Sequence, residues 1–135
     1  MEHTDPIRLA HTVRTIALVG ASDKPERASF EVMRFLLQRG YHVVPVNPVL
    51  AGDEIHGQLV YGSLAEVPSP IDMVDIFRNT ESAAETIREA IVLKEKLQLK
   101  IIWCQLGVTP HVAAAHAEEA GLIVVMDRCP AIEWR

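Results

Sequence analysis

The sequence predicts an α/β fold: a Rossmann-like, open, parallel five-stranded sheet with helices on both faces. Three observations carry this. Apolar, β-branched runs of strand length recur along the chain, helical segments alternate with them, and glycine or proline closes most units. At 135 residues and 49% hydrophobic, the chain suffices for one domain with a substantial core. No repeat, charge block or Gly/Ser-rich linker divides it, so residues 1–135 are read as a single domain.

Asp5-Pro6, followed by Ile7, Leu9, Ala10 and Val13, reads as an N-capped helix with proline at its first position; residues 1–14 are expected to pack on the domain edge. Thr15 to Val19 is a strand buried on both faces, ending at Gly20. After a polar loop, Phe30, Val32, Met33, Leu36 and Leu37 follow helical spacing up to Gly40. Tyr41 to Val46 resumes strand character and stops at Asn47-Pro48, which completes a β-α-β unit. Ser63-Leu64-Ala65-Glu66 fits a capping box on a short helix, and Ile71 to Phe77 is a third strand, which Asp72 and Asp75 are expected to flank. Thr80 to Leu97 reads as one amphipathic helix with Ala83, Ala84, Ile87, Ala90, Ile91 and Leu93 inward. Lys100 to Cys104 is a strand, Pro110 to Ala120 a helix closed by Gly121, and Leu122 to Met126 a fifth strand.

Several function classes are excluded by composition. The net charge of -5, with both signs interspersed, argues against a surface that neutralises nucleic-acid phosphates or an anionic membrane. No apolar run approaches the roughly 20 residues that cross a bilayer, and residues 1–14 carry charges and histidines where a signal peptide is apolar. Cys104 and Cys129 form neither a disulfide framework nor a CxxC pair, so reduced thiols in the cytosol are expected. His111 and His116, five apart on a helix, do not share a face as paired metal ligands would, and no metal site is expected.

In an open parallel sheet the ligand crevice lies beyond the carboxyl ends of the strands. The segments so selected are Gly20 to Ser29, Asn47-Pro48, Phe77 to Asn79, Gln105 to Val108 and Asp127 to Pro130. Amides at Gly20-Ala21-Ser22 and the positive end of the following helix form a cradle for a pyrophosphate. Ser22 and Ser29 either cap that helix or donate to phosphate, and Lys24 and Arg27 either add charge to the site or are solvated. The loop keeps one glycine of the GxGxxG fingerprint, and the second strand ends in Val46-Asn47-Pro48 where an NAD site places an acid and an NADP site an arginine. The adenine end is therefore recognised differently.

Five motifs in order, Val19-Gly20-Ala21-Ser22, Val44-Pro45-Val46-Asn47-Pro48, Asp75-Ile76-Phe77-Arg78, Trp103-Cys104-Gln105-Leu106-Gly107-Val108 and Asp127-Arg128-Cys129-Pro130, resemble those of the small bacterial CoA-binding proteins of the YccU type. That family is similar to the CoA-binding domain of the succinyl-CoA synthetase alpha subunit. The resemblance implies that coenzyme A or acyl-CoA lies across the carboxyl edge, with Gly20, Ala21 and Ser22 at the pyrophosphate and Asn47-Pro48 beside the nucleotide. It further implies that Phe77, Arg78, Gln105 and Gly107 line the crevice. Lys24, Arg27, Arg78 and Arg128 are the cations available to a phosphorylated ribose.

No acid–base pair or metal set is evident, so a CoA-binding protein without catalysis of its own is the expected function. The chain stops before the second domain with the phosphorylated histidine in the synthetase subunit, which leaves a component of a CoA ligase with an unidentified protein partner as an alternative. Cys129 is either a structural thiol or, with Arg128 favouring its thiolate, a centre of thioester or redox chemistry. An NAD(P)-sensing regulatory domain is the remaining alternative, supported by the fold alone.

Overall fold

A computed structural model describes residues 5–135, so residues 1–4 of the N-terminal segment lie outside the described residues. Five parallel strands form the sheet, in the order β2-β1-β5-β6-β7: β1 Thr15–Val19, β2 His42–Val46, β5 Met73–Ile76, β6 Ile101–Cys104 and β7 Ile123–Val125. The register sets Leu18 opposite Asp75 and Asp75 opposite Trp103. Alternate residues of each strand feed opposite faces. Ile16 and Leu18 join Met33, Leu36 and Trp103 beneath α1 (Pro6–Leu9), α2 (Ala28–Gln38) and α6 (Pro130–Glu133). On the other face Ala17, Val19 and Ile102 join Ile87, Ala90 and Ala117 beneath α3 (Thr80–Val92), α4 (Lys94–Leu97) and α5 (His111–Glu119). Each large aliphatic side chain so buried contributes about 1.5–3 kcal/mol relative to exposure, which is what holds the three layers together.

Local chemistry explains the boundaries. Asp5 caps α1 through its bond from the Ile7 amide at 3.0 Å, and Pro6 occupies the first turn where an amide hydrogen has no partner. Leu9 and Val13 are buried as expected. Asp72 flanks β5 and accepts the amides of Arg14 and Thr15 at 2.8 and 3.0 Å, tying the start of β1 to the start of β5.

Several expectations are corrected. Asp75 does not flank its strand: it lies inside β5, 0% exposed. No α-helix connects β2 to β5; a hairpin of β3 (Glu54–Ile55) and β4 (Gln58–Leu59), turned at His56-Gly57, and a 3-10 turn at Leu64–Glu66 do so. Ser63 makes no capping bond there, and Glu66 reaches back to the Gly62 amide at 3.2 Å. The long helix breaks at Leu93 into α3 and α4. Strand β7 is shorter than its apolar run, because it lies at the sheet edge and Ile123 is 36% exposed. Helix α6, unanticipated, lets Trp134 pack edge-on against Trp103 and donate to the Pro6 carbonyl at 2.8 Å.

Candidate functional site

The chain leaves β1 toward β2 on one side and reaches β5 on the other, so the loops after β1 and β5 part and open a crevice between them. Gly20 stands at its floor. Its amide donates to the Val46 carbonyl at 3.0 Å, its φ is +89°, and a Cβ there would lie 2.2 Å from the Phe77 carbonyl oxygen. Only glycine permits both that backbone conformation and that approach.

Three cavities of about 460, 390 and 330 Å³ adjoin, and Gly20 lines each of them. The first lies between the tips of β2 and β5, against Asn47, Pro48, Arg78, Ser82 and Thr86. The second runs along the front of α2 toward β6, against Arg27, Ser29, Phe77, Gln105 and Cys129. The third lies over the loop itself, against Ala21, Ser22, Lys24 and Asn47.

Within this frame Asn47 is a clamp. Its Nδ2 donates to the Ala21 carbonyl at 2.8 Å, which fastens the tip of β2 to the loop after β1, and its Oδ1 accepts the Val49 amide at 2.8 Å, which closes the turn that follows β2. Neither serine caps α2. The cap position is Arg27, without a side-chain bond; Ser29 lies two residues beyond it, inside the first turn and buried against the second cavity, and Ser22 Oγ accepts the Lys24 amide at 3.1 Å. Consequently the amides of Ala28 and Ser29 at the helix front donate to no acceptor among the described residues.

Arg78 lines the first and second cavities and is steadied by α3, with one guanidinium nitrogen donating to Thr86 Oγ1 at 3.0 Å. Lys24, Arg27 and Arg78 form no ion pair among the described residues. Arg128, grouped with them from its position in sequence, is turned elsewhere: its guanidinium meets Glu133 at 3.4 Å, and it lines none of the three cavities. Gly107 does not line them either, and its amide is engaged by Asp127 Oδ1 at 2.7 Å; its neighbours Gln105, Leu106 and Val108 line the second.

Cys129 opens on the second cavity but is only 8% exposed. Burial pushes its thiol up, more than the amides of Ala131 and Ile132 pull it down, and the charges of Asp75 and Glu133 push in the same direction as burial. Of the two alternatives for Cys129, the thiolate favoured by Arg128 is the one these contacts oppose, because that guanidinium serves Glu133. Cys104 is a core thiol, pushed up to about 12 by burial and then by Asp75. Trp103, fully buried, donates its indole N–H to the Arg128 carbonyl at 2.8 Å.

Three features escape the reading from sequence. Ser82, Thr86 and Glu89 line the first cavity; their steps of three, four and three from the N-cap Asn79 mark one polar stripe of α3, a signal that could have found them. Glu89 brings a carboxylate to that cavity, from α3 rather than from the tip of β2. Asp75 lies behind the second cavity: its Oδ1 accepts from Gln105 Nε2 at 2.5 Å, and its Oδ2 is buried without a partner among the described residues. Burial raises its pKa to about 7, against a smaller lowering by Gln105.

The sheet order and the crevice define a Rossmann-like α/β domain. The chain belongs to the CoA binding domain family, whose model matches residues 14–135. It is 34% identical to the protein YneT of Bacillus subtilis (strain 168) over 116 residues, 86% of this chain and 82% of that one. A solved structure from Pyrococcus horikoshii OT3 superposes with a TM-score of 0.86 at 37% identity, covering 98% of this chain and 96% of that chain. The alpha subunit of ADP-forming acetate–CoA ligase I of Pyrococcus furiosus is 31% identical over 80 residues; these are 56% of this chain but only 17% of that subunit.

Proposed function

We propose that this chain, as one domain in the cytosol, binds coenzyme A or acyl-CoA across the carboxyl edge of its sheet without catalysing a reaction on its own. One observation carries the reading. At the Gly20 crevice, amides and the cations Lys24, Arg27 and Arg78 line adjoining cavities, while the tip of β2, where an NAD site needs an acid, holds Asn47 with both its polar ends already engaged. A pyrophosphate and a phosphorylated ribose are stabilised by such donors and by positive charge. In this reading the pyrophosphate lies over Gly20, Ala21 and Ser22, but the amides of Gly20 and Ala21 are given to the Val46 carbonyl at 3.0 and 3.3 Å, so the backbone donors it meets are those of Ala28 and Ser29 at the front of α2. The adenosine part takes the side of Asn47 and Pro48, and the pantetheine arm runs over Phe77 toward Gln105, Leu106 and Cys129. Three contiguous spaces suit a ligand of three linked parts.

Calorimetric titration with CoA and with NADH tests it. CoA is expected to bind and NADH to bind at least tenfold more weakly; preference for NADH would overturn the reading and favour a dinucleotide sensor. The raised thiol of Cys129 speaks against cysteine-based thioester chemistry.

A second reading, a CoA-binding component of a larger CoA ligase, is favoured by the similarity to the acetate–CoA ligase alpha subunit. Affinity isolation of the tagged chain from its own cell extract distinguishes the two. A stoichiometric complex with a ligase subunit supports the second, and recovery of the chain alone contradicts it.

A further inference from the structure

Asp75 is a costly residue to keep where it is. It lies in the central strand between Leu18 and Trp103, 0% exposed, with Oδ1 held by Gln105 Nε2 at 2.5 Å and Oδ2 buried without a partner among the described residues. An isolated carboxyl in such surroundings destabilises the fold, and groups kept at such a cost cluster at functional sites. Gln105, 6% exposed, is the only hydrogen-bonded link from it to the second cavity among the described residues: Gln105 lines that cavity, and its Oε1 accepts no hydrogen bond from the described residues. An ionised carboxylate only accepts, so it must take the Nε2 end of the carboxamide and leave Oε1 toward the cavity.

We propose that Asp75 is a positioning residue that orients the Gln105 carboxamide, and that the orientation selects between the free thiol and the thioester form of a pantetheine arm; this rests on the CoA reading above. With Asp75 ionised, Oε1 faces the ligand and favours an S–H donor. A protonated Asp75 donates its O–H to Oε1, the carboxamide turns over, and the exposed Nε2 favours the carbonyl oxygen of a thioester. The site thus prefers free CoA on the alkaline side of the Asp75 titration and acyl-CoA on the acid side. Burial places that titration near neutrality, at about 7. The titratable groups around Asp75 are Cys104 of β6 and Cys129 before α6, whose thiols its charge pushes up, with Glu133 of α6 acting on Cys129 in turn. Arg27 and Arg78 line the same cavity without pairing to it, and α2 contributes the neutral Ser29.

Calorimetry of the full chain with CoA and with acetyl-CoA, at pH 6 and pH 8, reads the selection. The CoA to acetyl-CoA affinity ratio is expected to rise about fivefold between the two, the equivalent of one neutral hydrogen bond. It is expected to be flat in Gln105→Leu and in Asp75→Asn; if the latter fails to fold, Gln105→Leu decides alone. A flat ratio in the natural chain with CoA still bound overturns the inference and leaves the CoA reading standing, as does a rise that survives Gln105→Leu. Binding of neither ligand removes both. In the unliganded protein the Gln105 side-chain amide resonances are expected to titrate between pH 6 and 8, and their invariance would also overturn it.

Discussion

Replacing Asp75 by Asn isolates the energetic consequence of burying this carboxyl. In the fold its oxygens have lost water and gained only the Gln105 bond, and burial raises its pKa from the ordinary 3.8 to about 7. The unfolded chain releases that proton near pH 4. Between these values the native state binds more protons than the unfolded state. Stability from this group is therefore greatest in acid, falls as pH rises, and levels off above about 7. The linkage relation gives a loss of about 3 kcal/mol between pH 5 and pH 8. Asn cannot ionise, whereas every other titrating group is common to both proteins, so the difference between the two stability curves contains this effect alone. Urea unfolding of both proteins at pH 5 and pH 8 measures it. The Asn variant is expected to gain about 3 kcal/mol on the natural chain between the two conditions; parallel curves, agreeing within about 0.5 kcal/mol, would refute the assignment.

Three further outcomes follow from the site. Gly20→Ala sets a methyl 2.2 Å from the Phe77 carbonyl at a φ of +89°, and is expected to lower stability by about 3 kcal/mol or more; an unchanged urea midpoint contradicts this. Arg78→Ala is expected to weaken CoA binding about tenfold and to flatten its salt dependence, with the unfolding midpoint preserved because the side chain is exposed; undiminished affinity by calorimetry removes Arg78 from the site. Alkylation of Cys129 by iodoacetamide at pH 7.5, followed by peptide mass mapping, is expected to run at least tenfold slower than in the urea-unfolded chain, because burial raises its thiol pKa; equal rates would show the thiol to be open.

Legibility in the sequence follows the range of the interactions involved. Strands β1, β2 and β6 are readable because each is a continuous apolar run between breakers, and α2 because Val32, Met33 and Leu36 keep helical spacing before Gly40. Strand-end loops then locate the crevice by rule, which is why Gly20, Asn47, Phe77, Arg78 and Gln105 are all found lining it. What escapes depends on partners far along the chain or on direction. Asp75 reads as a strand boundary because a lone acid belongs in water; its only side-chain partner among the described residues, Gln105, lies 30 residues on. Arg128 adjoins Cys129 in sequence, yet its guanidinium points to Glu133, a direction that adjacency does not encode. Hairpin β3–β4 and helix α6 are too short to show a period, and α6 is fixed by the packing of Trp134 on Trp103.

Nitrogen-15 chemical-shift mapping on addition of CoA tests the placement of the ligand most directly. Perturbed amides are expected at Gly20 to Ser29, Asn47 to Val49, Phe77 to Asn79 and Gln105 to Val108, with the amino ends of the strands, such as Thr15 and Ile101, undisturbed. Shifts gathered at those amino ends, or none at Gly20 and Ala21 at saturating CoA, would contradict it.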